Sequence, residues 1–371
     1  MATVSDRVRR QRLVSALRAN GTLRTASVIA ALSAVPRSRF VPEGTALDDA
    51  YADHALVLTA DASGRPTSTI SQPSMVALML EQLGARPGHR VLEIGTASGY
   101  TAALLARLVR PWGRVVTVEL DATLAVAAAD RLAEHWPEVR VRAADGWSGA
   151  PDEAPFDRVH VTVGVDDLSP HWLEQLAEGG VLVAPITLRP AVELSVAFQR
   201  RGAELVSRSV RPCGFVRLRG PHAAPSSSFL LEGVGTVLAD WPDEAQARHL
   251  RSVLTTPPVD GGPIGSLPAG WSTRLALEQP HPVAVLKGSP RTVIRPGLHD
   301  PAGGGVALVD GDRLAGHGHP GAVALLREQL AAADPLSPLS LRIIARPAGR
   351  EPAPGRWTVR KKHFSYAIDA S

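Results

Sequence analysis

From Pro87-Gly88 to about Ile186 the chain alternates short apolar runs with longer stretches of helical periodicity, the signature of βαβ units laid on a parallel sheet. At least five strands are expected. Val91 to Ile94 leads through GTASGY into a helix ending near Val109, and Val115 to Val118 leads to a helix over about 122–135. Val139 to Arg142, Asp157 to Val163, a helix near Trp172 to Ala177 and Val181 to Ile186 complete the parallel part. Leu194 to Gln199 and Phe215 to Leu218, separated by a turn signal at Arg201-Gly202, read as a terminal antiparallel pair. The first domain then closes near Gly220.

Ahead of this region, Ser5 to Leu32 carries apolar residues at helical spacing until Pro36 and Pro42 break it, which predicts a pair of helices. Asp61 to Pro73 (DASGRPTSTISQP) is dense in turn formers and reads as a loop feeding a helix over 74–83. At 371 residues the chain exceeds one compact core, and two domains are expected. His222 to Ser228 reads as a linker. Beyond it come a helix near Glu244 to Leu254, a Gly/Pro-rich stretch through Gly270, a hairpin around Asp310-Gly311, a helix over 321–331, and strands over 341–345 and 357–366, hence a small α+β unit.

Hydrophobic residues at 44% and charged residues at 20% are values of an ordinary globular protein, and no apolar run is long enough to cross a bilayer. The N-terminus sets charges among its apolar positions and lacks a small-residue cleavage site, so it does not read as a signal peptide. Cys213, the single cysteine, allows no internal disulfide and suits a reducing compartment; the cytoplasm is the expected location. The net charge of +4 comes without a basic block, and only Arg360, Lys361 and Lys362 cluster. With no N-P-P-Y type tetrapeptide either, a nucleic-acid partner is not expected, and neither is a membrane. The pair His317 and His319 lacks a neighbouring cysteine, and no metal is expected.

The densest local signal is Glu93 to Tyr100, a glycine-bearing turn between a strand and a helix, where backbone approach and free N–H groups favour a ligand. Glu119 ends the next strand, near the interval of about 20 residues at which an acidic side chain holds a ribose diol. Ala97 replaces the central glycine of a dinucleotide fingerprint, and Glu93 would repel phosphates. A cationic nucleoside such as S-adenosylmethionine fits better than NAD. Asp145-Gly146 after the third strand is open to two readings, an acceptor for an adenine amino group or a turn-forming pair.

The span from Arg39 to about Gly220 resembles the protein-L-isoaspartate O-methyltransferases through RFVPEG, AYADHAL, TISQPSMVALMLEQL, PGHRVLEIGTASGYTAALLARLV, VVTVEL, ADGW, APFDRVHVTV, LEQLAEGGVLVAPI and FVRLRG. The resemblance implies a seven-stranded Rossmann-like class I methyltransferase sheet with N-terminal helices over 1–221, followed by a smaller α+β domain over 222–371 suited to peptide recognition. S-adenosylmethionine is the implied donor and S-adenosylhomocysteine the product. Implied donor contacts are Gln72, Glu93, Gly95, Thr96, Ala97, Ser98, Gly99, Tyr100, Glu119, Leu120, Asp145 and Gly146. Ser68, Thr69, Ile70 and Ser71 are implied to hold the acceptor carboxylate, with Ser71 and Thr69 catalytic; Ser71 also reads as a helix N-cap before Pro73.

Two departures bear on the substrate. Leu58 to Ser68 replaces the family's short Gly-rich approach to TISQP, and VGVDDLSPHW places Asp166, Asp167, His171 and Trp172 at a strand's C-terminal edge, where ligands gather in open α/β sheets. Asp167 is a candidate substrate contact; helix capping by Asp166 or Asp167 and core packing by Trp172 are equally open. With these features and the extra C-terminal length, the chain is similar to methyltransferases that tailor ribosomally synthesised modified peptides, of the lanthipeptide or ester/amide-crosslinked graspetide type. That similarity implies methylation of an aspartate side chain in a constrained peptide, closure of the ester to aspartimide, and hydrolysis to isoaspartate. The alternative is repair-type methylation of isoaspartyl residues in damaged proteins. In this reading Trp241, Trp271, Trp357, Phe364 and Tyr366 are candidate apolar anchors or core aromatics. The oligomeric state is left open.

Overall fold

A computed structural model describes residues 2–62, 64–223, 228–240, 244–287 and 293–370. Its centre is a ten-stranded mixed sheet. Five parallel strands come first, Arg90–Ile94, Arg114–Glu119, Val139–Ala143, Phe156–Val161 and Leu176–Arg189, with Arg90–Ile94 flanked by Arg114–Glu119 on one side and Phe156–Val161 on the other. Those runs are Val- and Leu-rich because both sheet faces are covered. The strand order therefore reverses beside Arg90–Ile94, which opens a crevice at that strand's C-terminal end.

One face packs under the N-terminal helices Ala2–Ala19 and Ala26–Ala34 and the helices Pro73–Leu83 and Tyr100–Val109, joining Leu17, Leu32, Leu80, Leu104 and Val91 in one core. The opposite face is filled by Trp172, Phe156, Leu182 and Phe198. No helix among the described residues is long and apolar enough to cross a membrane.

The antiparallel extension differs from expectation. Val192–Arg201 pairs with Glu204–Pro212, not with Phe215 to Leu218. Glu204–Pro212 buries Leu205 and Val210 and so takes the place beside its hairpin neighbour, while Phe215 to Leu218 crosses the sheet end. There the Gly164 N–H donates to the Val216 carbonyl at 2.8 Å and the Leu218 N–H to the Gly164 carbonyl at 2.8 Å. Asp61 to Pro73 is likewise not wholly a loop, since Pro66–Ile70 forms a hairpin with Leu56–Ala60. Gly64, at φ +79°, makes the turn, and Thr59 meets Thr67 across the strands at 2.8 Å. The turn formers that mark this segment as a loop serve only its tip.

The stretch from 222 onward serves two sheets. A seven-stranded antiparallel sheet within residues 228–318 packs on the helices Glu244–Leu254, Trp271–Glu278 and Gly321–Ala331. The last strands, Leu341–Pro347, Trp357–Arg360 and Phe364–Ala370, return to the first sheet, where Ile344 and Ala345 pair with Val206 and Leu205. Trp357, Phe364 and Tyr366 are buried in the core of that sheet, and Trp271 packs on the core of the smaller unit. Trp241 and part of the expected linker lie outside the described residues.

Asp167 ties the returning strand down. Its carboxylate accepts from the Tyr366 hydroxyl at 2.7 Å, the His363 N–H at 2.6 Å and the Leu168 N–H at 2.9 Å. Burial raises its pKa above the usual carboxylate range. Tyr366→Phe removes one buried charge-assisted bond and is expected to lower stability by about 1.5–3 kcal/mol; urea melts monitored by circular dichroism check it, and an unchanged midpoint would discount the tether.

Candidate active site

Strand Arg90–Ile94 ends in Gly95, whose φ of +97° and close setting exclude a side chain: a Cβ there would lie 2.6 Å from Thr162 Oγ1. Thr162 Oγ1 in turn donates toward the carbonyls of Ile94 at 2.9 Å and Gly95 at 2.7 Å, which fixes the turn. Ala97 adopts φ +49°, unfavourable for a residue with a Cβ, at a cost of about 1 kcal/mol. Its N–H donates to Glu119 Oε2 at 2.8 Å and offsets that strain. Glu119 Oε1 accepts from the Asp121 N–H at 3.1 Å, and Asp121 caps the helix Ala122–Ala133 through the N–H groups of Thr123 and Leu124. The acidic side chain is thus held at a strand end by the next helix start.

Across from this turn lies the acceptor loop. Ser71 precedes Gln72, the N-cap of Pro73–Leu83, whose own side chain makes no cap, and the Ser74 N–H is accepted by Asp53 Oδ1 at 2.8 Å. The capping alternative for Ser71 therefore falls away. Arg37, buried to zero exposure, donates to the carbonyls of Ser71 at 2.9 Å and Ala50 at 3.0 Å and lies 5.3 Å from the Tyr100 ring centre. Burial lowers its pKa from the usual guanidinium value. A fixed fork of donors so locks the backbone of the loop.

Between the two lies a cavity of about 770 Å³, lined by Ser68, Thr69, Ile70, Ser71, Gly95, Thr96, Ala97, Ser98, Tyr100, Glu119, Leu120 and Gly146. Sequence reasoning missed Thr67, Thr101 and Thr162 on this wall, and Val216 to Arg219 on its rim, because their role follows from the crossing of the FVRLRG segment over the sheet end. For Arg37 the sequence carried no distinguishing signal.

Five of the expected contact residues do not line this cavity. Glu93 is wholly buried between its strand neighbours Thr117 and His160; Thr117 Oγ1 donates to its Oε2 at 2.6 Å, and Oε1 has no hydrogen-bond partner. Burial raises its pKa, and the carboxyl lies beneath the cavity rather than facing it. Gly99 is the N-cap of Tyr100–Val109, turned toward Leu132. Asp145 accepts from the Trp147 N–H at 2.9 Å, which forms a turn, and lies 3.0 Å from His222 Nδ1. Gln72 donates to Asp53 at 3.1 Å. Asp167 is engaged by Tyr366 and His363 as described, and Ser169, not Asp166 or Asp167, caps the helix Pro170–Gln175. Trp172 is fully buried and donates to the Gly146 carbonyl at 2.9 Å, so it props the cavity floor from the core. His317 and His319 face the Thr256 carbonyl and the Gly321 N–H, respectively.

The chain's own groups fit S-adenosylmethionine. The Gly95 cradle excludes a Cβ, and an acceptor pair on Glu119 suits a diol.

Comparison with known proteins agrees with this geometry. The model of the protein-L-isoaspartate(D-aspartate) O-methyltransferase family matches residues 8–223. The protein-L-isoaspartate O-methyltransferase of Methanopyrus kandleri is 44% identical over 213 residues, covering 57% of this chain and 91% of that protein. That of Methylorubrum populi is 41% identical over 223 residues, 60% of this chain and 100% of that protein. A solved structure described as a protein-L-isoaspartate O-methyltransferase superposes with a TM-score of 0.55 at 26% identity, and covers 98% of this chain and 99% of its own. The C-terminal unit therefore has a counterpart in that protein, and extra length does not by itself mark a peptide-tailoring enzyme.

Proposed function

The chain belongs to the protein-L-isoaspartate(D-aspartate) O-methyltransferase family, and from that premise we propose that its acceptor is an isoaspartyl carboxylate in a polypeptide, aimed by Ser71 and the backbone of Thr69 and Ile70. It is an S-adenosylmethionine-dependent carboxyl methyltransferase of protein aspartyl residues. The observation that supports the acceptor assignment is the shared cavity, in which Thr69 to Ser71 face the turn Gly95 to Ser98 and Glu119.

A carboxylate with a pKa near ~4 is ionised at neutral pH, so no general base has to remove a proton. Bound S-adenosylmethionine supplies an electrophilic methyl group, and its transfer to the carboxylate oxygen leaves S-adenosylhomocysteine. Alignment is what remains for the protein to provide. The Ser71 hydroxyl has no hydrogen-bond partner among the described residues and lines the cavity, so it is available to donate to one acceptor oxygen. Arg37 holds the loop that carries it. We place Glu119 at the donor's ribose and Gly95 to Ser98 along the rest of the donor.

Ser71→Ala is expected to lower kcat by about tenfold, the equivalent of ~1.4 kcal/mol, with unchanged donor affinity by calorimetry. Unchanged kcat, or weakened donor binding at normal kcat, would remove Ser71 from the acceptor site.

A second reading, methylation of an aspartate side chain in a crosslinked ribosomal peptide with closure to aspartimide, is favoured by the hairpin Leu56 to Ile70, which stands where repair enzymes have a short approach to TISQP. Purified protein, S-adenosylmethionine and three acceptors separate the readings: an isoaspartyl peptide, its aspartyl twin and a crosslinked precursor. A gain of one methyl on the isoaspartyl peptide alone supports the first; a methyl gain or net loss of water on the crosslinked precursor alone replaces it by the second. A cytoplasmic location belongs to the same proposal, supported by the free Cys213.

A further inference from the structure

A second cavity, of about 1160 Å³, adjoins the first, and Arg217 and Leu218 line both. Its near wall is the strand edge at Gly164 to Asp167. Its far wall is the turn Lys361 to His363 between the last two strands, and Leu238 of the smaller sheet closes one side. We propose that this groove binds an acidic polypeptide segment flanking the methyl-accepting residue, with Lys361 and Lys362 receiving its carboxylates; the inference rests on the polypeptide-acceptor reading above and names which polypeptides that acceptor site favours.

Three observations carry it. First, the groove's charges do not cancel. Asp167 is consumed by Tyr366 and the His363 N–H, and Asp166 lies 3.4 Å from Arg217 Nη1. Neither lysine forms an ion pair among the described residues, and with Arg217 they set three cations against Asp166 and Asp167, which leaves the lining net positive. Second, the wall is fixed before any ligand arrives. The Lys361 N–H donates to the Phe364 carbonyl at 2.9 Å, and Asp167 clamps the adjoining His363 N–H, so the turn presents both lysines from a tethered backbone. Third, the floor is aromatic. Trp147 and His222 stack with ring planes 5° apart, and His363 lies 5.1 Å from Trp147, a surface suited to peptide groups and apolar stems.

The continuity of the two cavities then has a simple meaning: a chain whose reacting residue sits at Ser71 runs past Arg217 into the groove. Charge complementarity picks acidic flanks over neutral or basic ones.

The test uses the full-length protein and three fluorescein-labelled peptides identical but for the flanks of a central isoaspartyl residue: Glu-rich, Gln-rich and Lys-rich. Anisotropy in the presence of S-adenosylhomocysteine reads binding without turnover. The Glu-rich peptide is expected to bind about tenfold tighter than the Gln-rich one. That preference should vanish in the double variant Lys361→Glu/Lys362→Glu and at about 1 M salt, where the screening length is only about 3 Å. The variant's circular dichroism and its methylation of the Gln-rich peptide should match the parent. Equal binding of the Glu-rich and Gln-rich peptides, or an acidic preference that survives charge reversal, overturns the proposal. If the preference holds and is lysine-dependent while no peptide is methylated, the groove stands and the acceptor assignment fails.

Discussion

Glu119→Ala is expected to weaken S-adenosylmethionine binding by roughly 10²-fold, or about 2.7 kcal/mol, with kcat at saturating donor nearly unchanged. A hydrogen bond to a charged acceptor contributes about 1.5–3 kcal/mol, and the Glu119 carboxylate offers two oxygens at the strand end. The same substitution frees the Ala97 N–H, which Glu119 Oε2 accepts at 2.8 Å while Ala97 sits at φ +49°. The turn therefore loses its brace along with its ligand contact. Glu119→Gln separates the two: it keeps an acceptor for Ala97 and drops the charge, so it should fall between alanine and the parent. Isothermal calorimetry with donor and product reads this directly. A loss confined to kcat, with donor affinity intact, would move Glu119 out of the donor site.

The second large effect is on stability and depends on pH. Glu193 lies under the crossing segment, where its Oε1 accepts the Phe215 N–H at 2.9 Å and its carbonyl accepts the Cys213 N–H at 3.1 Å. Burial pushes its pKa from 4.5 up to about 7, against the opposing pull of Arg217. A raised carboxyl pKa means that the folded state holds a proton which the unfolded state releases. The contribution of this group is thus fully present below the unfolded value of 4.5 and is lost as pH rises through about 7. Glu193→Gln keeps the acceptor for Phe215 and cannot ionise. It should leave stability unchanged at about pH 4 and raise it by about 2 kcal/mol at about pH 8, after allowance for the group's partial exposure. Paired urea melts at the two pH values decide it: no gain at the higher pH, or an equal gain at both, would show that folding does not raise the Glu193 pKa.

What the sequence made legible follows the range of the forces involved. The parallel strands, the GTASGY turn and Glu119 at the next strand end are written in local periodicity and spacing, and the fold places them accordingly. Helices such as Glu244–Leu254 and Gly321–Ala331 are likewise local and fall where their apolar spacing puts them. The failures are pairings between distant segments. Phe215 to Leu218 has the composition of a strand, and only the competing claim of Glu204–Pro212 on the sheet edge turns it into the rim of the cavity. Glu93 is an acidic residue at a strand end, the place where ligands gather, yet it is turned into the protein by Thr117 and His160, while Asp167, on the wall of the second cavity, is tied down by His363 and Tyr366. Arg37 shows the reverse case, an arginine of ordinary surface composition that becomes the buried anchor of the acceptor loop.

The return of residues 341–370 to the first sheet has a consequence for how the protein is made. A ribosome delivers the strands up to Glu204–Pro212 well before the ones that complete their sheet, and the whole of the smaller unit emerges in between. The sheet must therefore wait with Val206 and Leu205 at an unfinished edge, exposed to wrong partners, until residues 341–370 have emerged. Removing residues 341–370 strikes the sheet that carries the catalytic half of the molecule rather than a remote appendage. Residues 2–223 expressed alone leave a methyltransferase domain with an open seam at Leu205 and Val206.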